Sequence, residues 1–413
     1  MFRTTTILGG LTLALFTSTA HADEIFTGST TTLIQKGSPY AGTFQTIGAC
    51  GGQAQSMTLD GDVLLIGDPN GHIYRRAPGD SFVSYAFDVP NDAQALVMHG
   101  GNLLSGGSDG TIARVDASSG ALISTLNVSI PVSALLVQGG DLFAGSSFGI
   151  VQKGNATTGG FQFWGTCGGP VNSLAIDATH LMIGSSNGNI YRIALATQQV
   201  DATFPVGNDA QAMIVSKGDL VVGGTNGSIL RVRRTDGLVK GTMSSFVSVN
   251  SMAILEEQEP GTIYCYGLGC PCGNNDGETG CAHSRGYGAR LAGRGTGSVG
   301  ADDLEINAFN LPPNKSGRFY MSQNSTQLPL GDGFLCAGTA GYPLFRFPFI
   351  SSGPAGSISM PDNLIAYCQQ HFNVSGHITA GSTWHFQAWY RDPAGPCGNK
   401  FNTTNSYSMP FGP

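Results

Sequence analysis

A repeat of 39 residues runs through the first part of this chain. Six glycines are spaced 39 residues apart from position 28 onward, and all but the first are followed four positions later by another glycine. A fixed period of roughly 20 to 50 residues is typical of a chain built from one supersecondary unit that packs on copies of itself. The first set of glycines is Gly28, Gly67, Gly106, Gly145, Gly184 and Gly223.

Each repeat predicts four short strands. In the unit that begins near residue 54, these are AQSMTL, then DVLLIG, then HIYRRA after an NG turn, and a variable fourth segment. An Asn-Gly or Asp-Gly pair between two apolar runs is a strong signal for a β-hairpin. Four antiparallel strands per repeat are typical of one blade of a β-propeller.

The register of the repeats also predicts how the ring closes. Residues 26–37, FTGSTTTLIQKG, align without gaps with residues 143–154, FAGSSFGIVQKG, so they match later strands of a blade. The inner strand of that blade is then supplied by residues 249–256. We therefore expect a six-bladed β-propeller whose last blade combines both ends of the region, which leaves no open sheet edge.

The composition favours an all-β protein. Only 11% of the residues are charged and 61 are glycine, whereas average proteins have about a quarter charged residues and ~7% glycine. Helices on a protein surface need many charged residues, so few helices are expected. The net charge of -7 excludes a protein whose main role is to bind nucleic acid, because that role requires a basic surface.

Residues 1–22 have the form of a secretory signal peptide. Arg3 precedes an apolar run, and Ala20-His21-Ala22 matches a cleavage site. No other segment approaches the ~18 consecutive apolar residues of a membrane-spanning helix, so no membrane span is expected. We expect a protein that starts at Asp23 and is secreted, extracellular or held at the cell surface, where disulfides form.

The repeats resemble those of quinoprotein-like and YVTN-type β-propellers. The segment GGSDGTIARVDASSGAL, residues 106–122, is similar to their pattern G-x-[ND]-G-x-[IV]-x-x-[LV]-[ND]-x-x-[ST]-G. The resemblance extends over residues 23–256 and implies the propeller fold, but such repeats occur in enzymes and in scaffolds alike. Trp164 is the one tryptophan of this region and does not recur in each repeat, so a quinone cofactor is not expected, nor is any other.

A second domain is predicted for residues 264–413, after a propeller of residues 23–263. The repeat stops near residue 257, and seven of the nine cysteines follow. Short apolar runs separated by Gly, Pro and Asn predict a disulfide-rich β-sandwich. The predicted strands are residues 289–291, 304–306, 319–321, 343–350, 383–390 and 407–411.

The second domain resembles an uncharacterised Cys-rich domain at the C-termini of secreted bacterial proteins. The resemblance is carried by CPCGN (270–274), GCAHS (280–284), GDGFLCAG (331–338) and WYRDPAGPCGNKFNTTN (389–405). It implies an exported, modular protein and no particular activity. The five cysteines in these motifs and Cys265, just before the first motif, are the disulfide candidates, with fifteen possible pairings, and Cys368 is left as the odd thiol. The candidates are Cys265, Cys270, Cys272, Cys281, Cys336 and Cys397.

Two other roles for cysteines are open. Cys270, Cys272 and Cys281 with His283 offer a zinc site, although C-x-C differs from the usual C-x-x-C pair. Disulfides are favoured there because the chain is expected to be exported. In the propeller, Cys50 and the cysteine 117 residues later are either free thiols or a bridge across the channel.

The mouth of the predicted channel is the first candidate site. One neutral polar residue precedes each inner strand, and the loops add Asn91, Asp92, Asn208 and Asp209 around this ring. The arrangement suits a neutral ligand or a cation such as Ca²⁺. The alternative is that the ring binds channel water and the loop residues only form turns. The ring consists of Gln55, Gln94, Ser133, Asn172, Gln211 and Asn250.

The aromatic strand 383–390 is the second candidate. Alternation places Trp384 and Tyr390 on the face predicted to be core, and Gln387, Trp389 and Arg391 on the other. Trp389 is therefore positioned either to stack against a sugar ring or to pack beneath a loop.

Catalysis finds little support in the sequence, because no G-x-S-x-G elbow, H-E-x-x-H motif or phosphate loop is present. We expect a non-catalytic binding protein with a protein or glycan ligand, and no catalytic residue is assigned. The alternative is an extracellular propeller enzyme, a polysaccharide lyase or glycoside hydrolase that uses the Asp92 and Asp209 loops with a metal ion. The oligomeric state is left open.

Overall fold

The structure is a computed structural model that describes residues 23–40, 43–255, 259–338 and 343–413. The predicted signal peptide lies outside the described residues. The described chain is all-β as predicted, with one α-helix and one short 3₁₀ turn. Among these residues no helix is long and apolar enough to cross a membrane.

The first 24 strands make up the repeat region and follow the predicted spacing. The first twelve are β1 (Glu24–Gly28), β2 (Leu33–Gly37), β3 (Phe44–Ala49), β4 (Ser56–Asp60), β5 (Val63–Gly67), β6 (His72–Arg76), β7 (Ser84–Asp88), β8 (Ala95–His99), β9 (Asn102–Gly106), β10 (Thr111–Asp116), β11 (Leu122–Asn127) and β12 (Ala134–Gln138). The next twelve are β13 (Asp141–Gly145), β14 (Ile150–Asn155), β15 (Gly159–Thr166), β16 (Ser173–Ile176), β17 (His180–Gly184), β18 (Asn189–Ala194), β19 (Gln199–Pro205), β20 (Ala212–Ser216), β21 (Asp219–Gly223), β22 (Ser228–Arg233), β23 (Val239–Ser244) and β24 (Ser251–Leu255).

These strands form six antiparallel four-stranded sheets. Five sheets are continuous in the chain, from β4–β7 to β20–β23, and the sixth has the order β24-β1-β2-β3. The first strands contact one another in a closed ring, from β4 through β8, β12, β16, β20 and β24 back to β4. This is the arrangement of a β-propeller, in which inner strands surround a channel.

The recurring glycines allow neighbouring sheets to approach closely. A Cβ atom added to Gly145 would lie 2.2 Å from Cγ1 of Val171, which precedes the next inner strand. The equivalent atom on Gly223 would lie 2.4 Å from Cγ1 of Val249. The repeat thus keeps glycine where a side chain would force two sheets apart.

The described residues of the C-terminal part form eleven strands and one helix. The strands are β25 (Thr262–Tyr264), β26 (Arg290–Arg294), β27 (Glu305–Phe309), β28 (Ser316–Ser322), β29 (Ser325–Leu330), β30 (Gly333–Ala337), β31 (Phe345–Arg346), β32 (Ile350–Ser351), β33 (Ile358–Ser359), β34 (Thr383–Arg391) and β35 (Phe401–Pro410). The helix α1 is Leu364–His371, and a 3₁₀ turn covers Val374–Gly376.

Two sheets and the helix share the C-terminal core. The larger sheet has the order β25-β35-β34-β28-β31, with β32 also paired to β28, and the smaller has the order β26-β27-β33. Apolar side chains of both sheets and of α1 form one buried cluster. Strands β29 and β30 form a separate hairpin. The predicted strand 343–350 is instead two short strands, and neither the hairpin nor α1 was predicted.

Three disulfides join the six cysteines identified from the sequence. The pairs are Cys265–Cys336, Cys270–Cys281 and Cys272–Cys397. The zinc interpretation of this region is therefore wrong, because its three cysteines are oxidised in pairs. Free thiols are present at Cys50, Cys167 and Cys368. The predicted alternative of a disulfide across the channel is also wrong. Cys50 Sγ lies 2.9 Å from Gly52 O and Cys167 Sγ lies 3.0 Å from Gly169 O, so each thiol contacts a carbonyl of its own loop.

The C-terminal part packs against the propeller through polar and charged contacts. Arg234 Nη2 donates to Glu278 Oε1 at 2.8 Å, and Arg233 Nη1 donates to Gly286 O at 2.8 Å. The hydroxyl of Tyr287 donates to Lys240 O at 3.0 Å. All three contacts use residues of β22, β23 or the turn between them, so this blade supplies part of the docking surface.

His283 should make the stability of the protein depend on pH. Its imidazole is 2% exposed, Nε2 donates to Asn310 O at 2.7 Å, and Nδ1 accepts from Arg285 N at 3.2 Å. The neutral ring satisfies both contacts, and burial is the main reason that the pKa of His283 is lowered to about 4. An unfolded histidine has a pKa near ~6.5.

Between these two pKa values only the unfolded chain binds the proton, so the free energy of unfolding falls as pH drops from about 6.5 to about 4. At 1.36 kcal/mol per pKa unit the loss can reach ~3 kcal/mol. Urea denaturation at a series of pH values measures it. The His283→Gln protein should show a shallower pH dependence than the parent. Equal slopes for the parent and His283→Gln would contradict this account.

Candidate functional site

The six polar residues that precede the inner strands lie together on the channel axis. With the first residues of those strands, they line a cavity of about 100 Å³. The hydroxyl proton of Ser133 is not available to a ligand, because it is donated to Val171 O at 2.6 Å. The ring residues are Gln55, Gln94, Ser133, Asn172, Gln211 and Asn250.

Four of the five amide side chains in the ring are hydrogen-bonded to each other in two pairs. Gln55 Nε2 donates to Gln94 Oε1 at 3.1 Å, and Asn172 Nδ2 donates to Gln211 Oε1 at 2.9 Å. These two pairs are equivalent in the two halves of the repeat region. In the described chain, Asn250 Oδ1 is a buried acceptor without a hydrogen-bond partner. A neutral cavity that contains a buried acceptor without a partner suits water or a small donor better than a charged ligand.

The two loop aspartates hold their own loops in place. Asp92 Oδ1 accepts from Ser108 N at 2.7 Å, and Asp92 Oδ2 accepts from Gln94 Nε2 at 3.0 Å. Asp209 Oδ1 accepts from Thr225 N at 2.8 Å. Burial raises the pKa of Asp92, but the hydrogen bonds from Ser108 and Gln94 outweigh it and leave this pKa below its usual value. Both carboxylates therefore connect an inner-strand loop to the hairpin of the same blade.

The neighbouring asparagines are structural in the same way. Asn91 is 8% exposed, and its Nδ2 donates to Ser105 O at 2.7 Å. Asn208 is 6% exposed, and its Nδ2 donates to Val222 O at 3.3 Å. No group of three or more His, Cys, Asp or Glu side chains placed to hold a metal ion occurs within the described ranges.

Strand β34 confirms the predicted division between core and outer face at four positions. The side chains of Trp384, Phe386, Ala388 and Tyr390 are all 0% exposed. On the opposite face Gln387 is also 0% exposed, because the hairpin β29–β30 covers it. Trp389 lies beyond the edge of this cover and is only partly buried.

Trp389 forms one wall of an open aromatic cleft. Its ring centroid is 5.9 Å from that of Phe349 and 5.7 Å from that of Phe401. The cleft has a volume of about 510 Å³, and Phe349 is 60% exposed. The aromatic cleft is lined by Ser316, Phe349, Trp389, Arg391, Asn399, Lys400 and Phe401.

The polar groups of the aromatic cleft are arranged around its rings. Arg391, Lys400 and Asn399 are exposed at its rim. The guanidinium of Arg318 lies 4.4 Å from the centroid of the Phe349 ring, which fixes this side chain by a cation–π contact. The described lining thus combines flat apolar rings with hydrogen-bond donors and two positive charges.

The alternation along β34 predicts Trp389 and Arg391 as outer-face residues, whereas the other two rings of the cleft are not predicted from the sequence. Phe349 is the last residue of the aromatic-rich segment FRFPF, and Phe401 follows Lys400 within the last Cys-containing motif. Strand β32 follows Phe349 directly, and β35 begins at Phe401. Only the pairing of β28 with β32 and of β34 with β35 brings these rings next to Trp389.

Comparisons with known proteins support the fold and leave the function open. No family model matches the chain, and no curated protein matches it. A solved chain of the nidogen/laminin complex is similar over 56% of this chain and 97% of that chain, with 10% identity and a TM-score of 0.50. The WD40 β-propeller domain of Doa1 is similar over 56% and 82%, with 16% identity and a TM-score of 0.45. The computationally designed protein Ika8 is similar over 56% and 77%, with 16% identity and a TM-score of 0.39.

Proposed function

We propose that this protein is a secreted or cell-surface, non-catalytic binding protein that recognises carbohydrate in the aromatic cleft around Trp389. The observation that supports this proposal most strongly is the open cleft of about 510 Å³ with three aromatic rings and several hydrogen-bonding groups. Flat aromatic side chains stack against the apolar faces of sugar rings, while amide and cationic groups bind hydroxyl and carboxylate oxygens.

The proposed architecture has three parts. Residues 1–22 are the signal peptide, residues 23–263 form a six-bladed propeller, and residues 264–413 form a disulfide-stapled β-sandwich that carries the cleft. Strand β25 pairs with β35, so the first strand of the β-sandwich begins at Thr262, two residues before the boundary expected from the cysteine pattern. Three disulfides are compatible with export.

The charges at the aromatic cleft favour acidic saccharides. Arg391 and Lys400 contribute positive charge, and no Asp or Glu is among the described residues that line the cleft. Exposed charge pairs are screened by salt, so binding should weaken as ionic strength rises.

A glycan array probed with residues 23–413, with and without Ca²⁺, tests the proposal. We expect binding to acidic glycans, reduced about tenfold or more by Trp389→Ala, a change of ~1.4 kcal/mol. Phe82→Ala is the matched control, since Phe82 is 69% exposed on the propeller and its loss should leave binding unchanged. Binding that survives Trp389→Ala, or Ca²⁺-dependent binding lost in Asp92→Ala/Asp209→Ala, would place the site at the propeller mouth instead.

A protein ligand at the propeller is the second candidate. Phe148 lies in the turn between β13 and β14 and is 71% exposed, and Phe246 lies in the loop before β24 and is 85% exposed. Turns and loops of these two kinds meet on one face of the propeller. In the last blade, Thr30 N, in the turn between β1 and β2, donates to Ser248 Oγ, in the loop before β24, at 3.2 Å. Exposed aromatic residues at a channel mouth are typical of a surface that contacts another protein.

A further inference from the structure

A cavity of about 220 Å³ lies between the propeller and the C-terminal part. Its propeller wall includes Tyr40, Arg231 and Lys240, and its other wall includes Arg285 and Asn310. A single buried water needs only ~10–15 Å³ of such space. The cavity therefore has room for a small organic molecule, and it shares no residue with the channel ring or the aromatic cleft.

The lining of the cavity contains positive side chains, two of them buried. Arg231 and Lys240 are 6% and 3% exposed. Both interact with Asp219: Lys240 Nζ lies 2.7 Å from its Oδ1, and Arg231 Nε lies 3.6 Å from its Oδ2. One carboxylate thus faces two cations, and Arg285 adds a third at the exposed rim. The described lining of the cavity contains these three cations and no Asp or Glu, so an anion in the cavity would be stabilised.

Two buried polar atoms of the cavity walls lack hydrogen bonds within the described chain. They are Arg231 Nε, a donor, and Asn310 Oδ1, an acceptor. Lys240 adds spare donors, since its ammonium group carries three N–H bonds and Asp219 accepts one. Buried polar atoms nearly always have hydrogen-bond partners, so these atoms suit a ligand that both accepts and donates hydrogen bonds.

The cavity is preformed rather than loosely enclosed. Tyr40 stacks over Arg231, with its ring centroid 4.9 Å from the guanidinium carbon, and packs against Phe309 at 4.6 Å. The hydrogen bond from Tyr287 to Lys240 O joins the two walls. A ligand would enter a site whose charged groups already have fixed positions, which reduces the entropy lost on binding.

From these observations we infer that the junction cavity is a binding site for a small hydroxycarboxylate. The carboxylate accepts hydrogen bonds from Arg231, Lys240 and Arg285, and the hydroxyl donates to Asn310 Oδ1. The site is independent of the carbohydrate proposed for the aromatic cleft.

Isothermal titration of residues 23–413 with L-tartrate and with succinate tests this inference. The two dicarboxylates have the same charge and differ by two hydroxyl groups. We expect one tartrate per chain, with succinate binding at least about fivefold more weakly, because succinate leaves the buried acceptor Asn310 Oδ1 unpaired. Both titrations are done at constant ionic strength in chloride.

Two variants locate the site. Asn310→Asp keeps the size of the side chain and tolerates the left-handed backbone at φ 64°, and its added negative charge should abolish tartrate binding. Arg285→Gln should weaken it several-fold, whereas the exposed control Arg75→Gln and the cleft variant Trp389→Ala should bind like the parent. No tartrate binding by the folded parent, equal binding of succinate, or parental binding by Asn310→Asp would each overturn the inference.

Discussion

Deleting residues 23–37 should abolish the cooperative folding of the propeller. The deletion removes β1 and β2, the two central strands of the sheet β24-β1-β2-β3. Strands β24 and β3 then lose their only partners within this sheet, and the fully buried Ile25 and Ile34 are lost with them. The ring would be left with two unpaired strands next to an open edge. Since a domain is stable by only ~5–15 kcal/mol, this loss should exceed the total.

Thermal unfolding followed by circular dichroism measures the effect of this deletion. The shortened chain should lose the cooperative transition of residues 23–413, and a synthetic peptide of residues 23–37 added in excess should restore part of it. A shortened chain that melts like the parent would show that the blade is not closed by these strands.

Gln387→Leu should destabilise the C-terminal part by about 3–5 kcal/mol, since each buried polar group left unpaired costs ~1–3 kcal/mol. Gln387 is 0% exposed. Its Oε1 accepts from the Tyr320 hydroxyl and from Cys336 N, and its Nε2 donates to Phe334 O and Thr404 O. Leucine fills a similar volume but satisfies none of these groups, so the hairpin β29–β30 loses its polar attachment to the sheet.

Urea denaturation of this variant should give a lower midpoint than the parent. Gln327→Leu on β29 is the matched control, because the same chemical change occurs at an exposed side chain and should shift stability by no more than ~0.5 kcal/mol. Equal midpoints for the two variants would mean that water replaces the amide of Gln387 without cost.

The repeat region could be predicted in detail because its structure is determined locally and then copied. Turn glycines such as Gly71, at φ 82°, and the fully buried Ile73 recur in register, so each position is specified several times over. The closing strands β1 and β2 were predicted for the same reason, by alignment with the region around β13 and β14.

The C-terminal part has no internal copy, so its long-range contacts could not be predicted. The six bonded cysteines are predicted from the sequence. Cys272, however, pairs with Cys397, 125 residues away, and the local spacing of cysteines does not indicate such a long-range pair. Alternation along β34 placed Gln387 on the outer face, and the hairpin that buries it is distant in sequence. Phe349 and Phe401 become neighbours of Trp389 only through strand pairing.

Tryptophan fluorescence tests the central claim, that carbohydrate binds on Trp389, most directly. The chain has three tryptophans, and Trp164 and Trp384 are 6% and 0% exposed, so acrylamide should quench mainly Trp389. Saturating amounts of the strongest ligand from the array should protect this fluorescence, and Trp389→Phe should remove the quenchable component. Quenching that is unchanged when ligand is bound would contradict the claim and place the carbohydrate elsewhere on the protein.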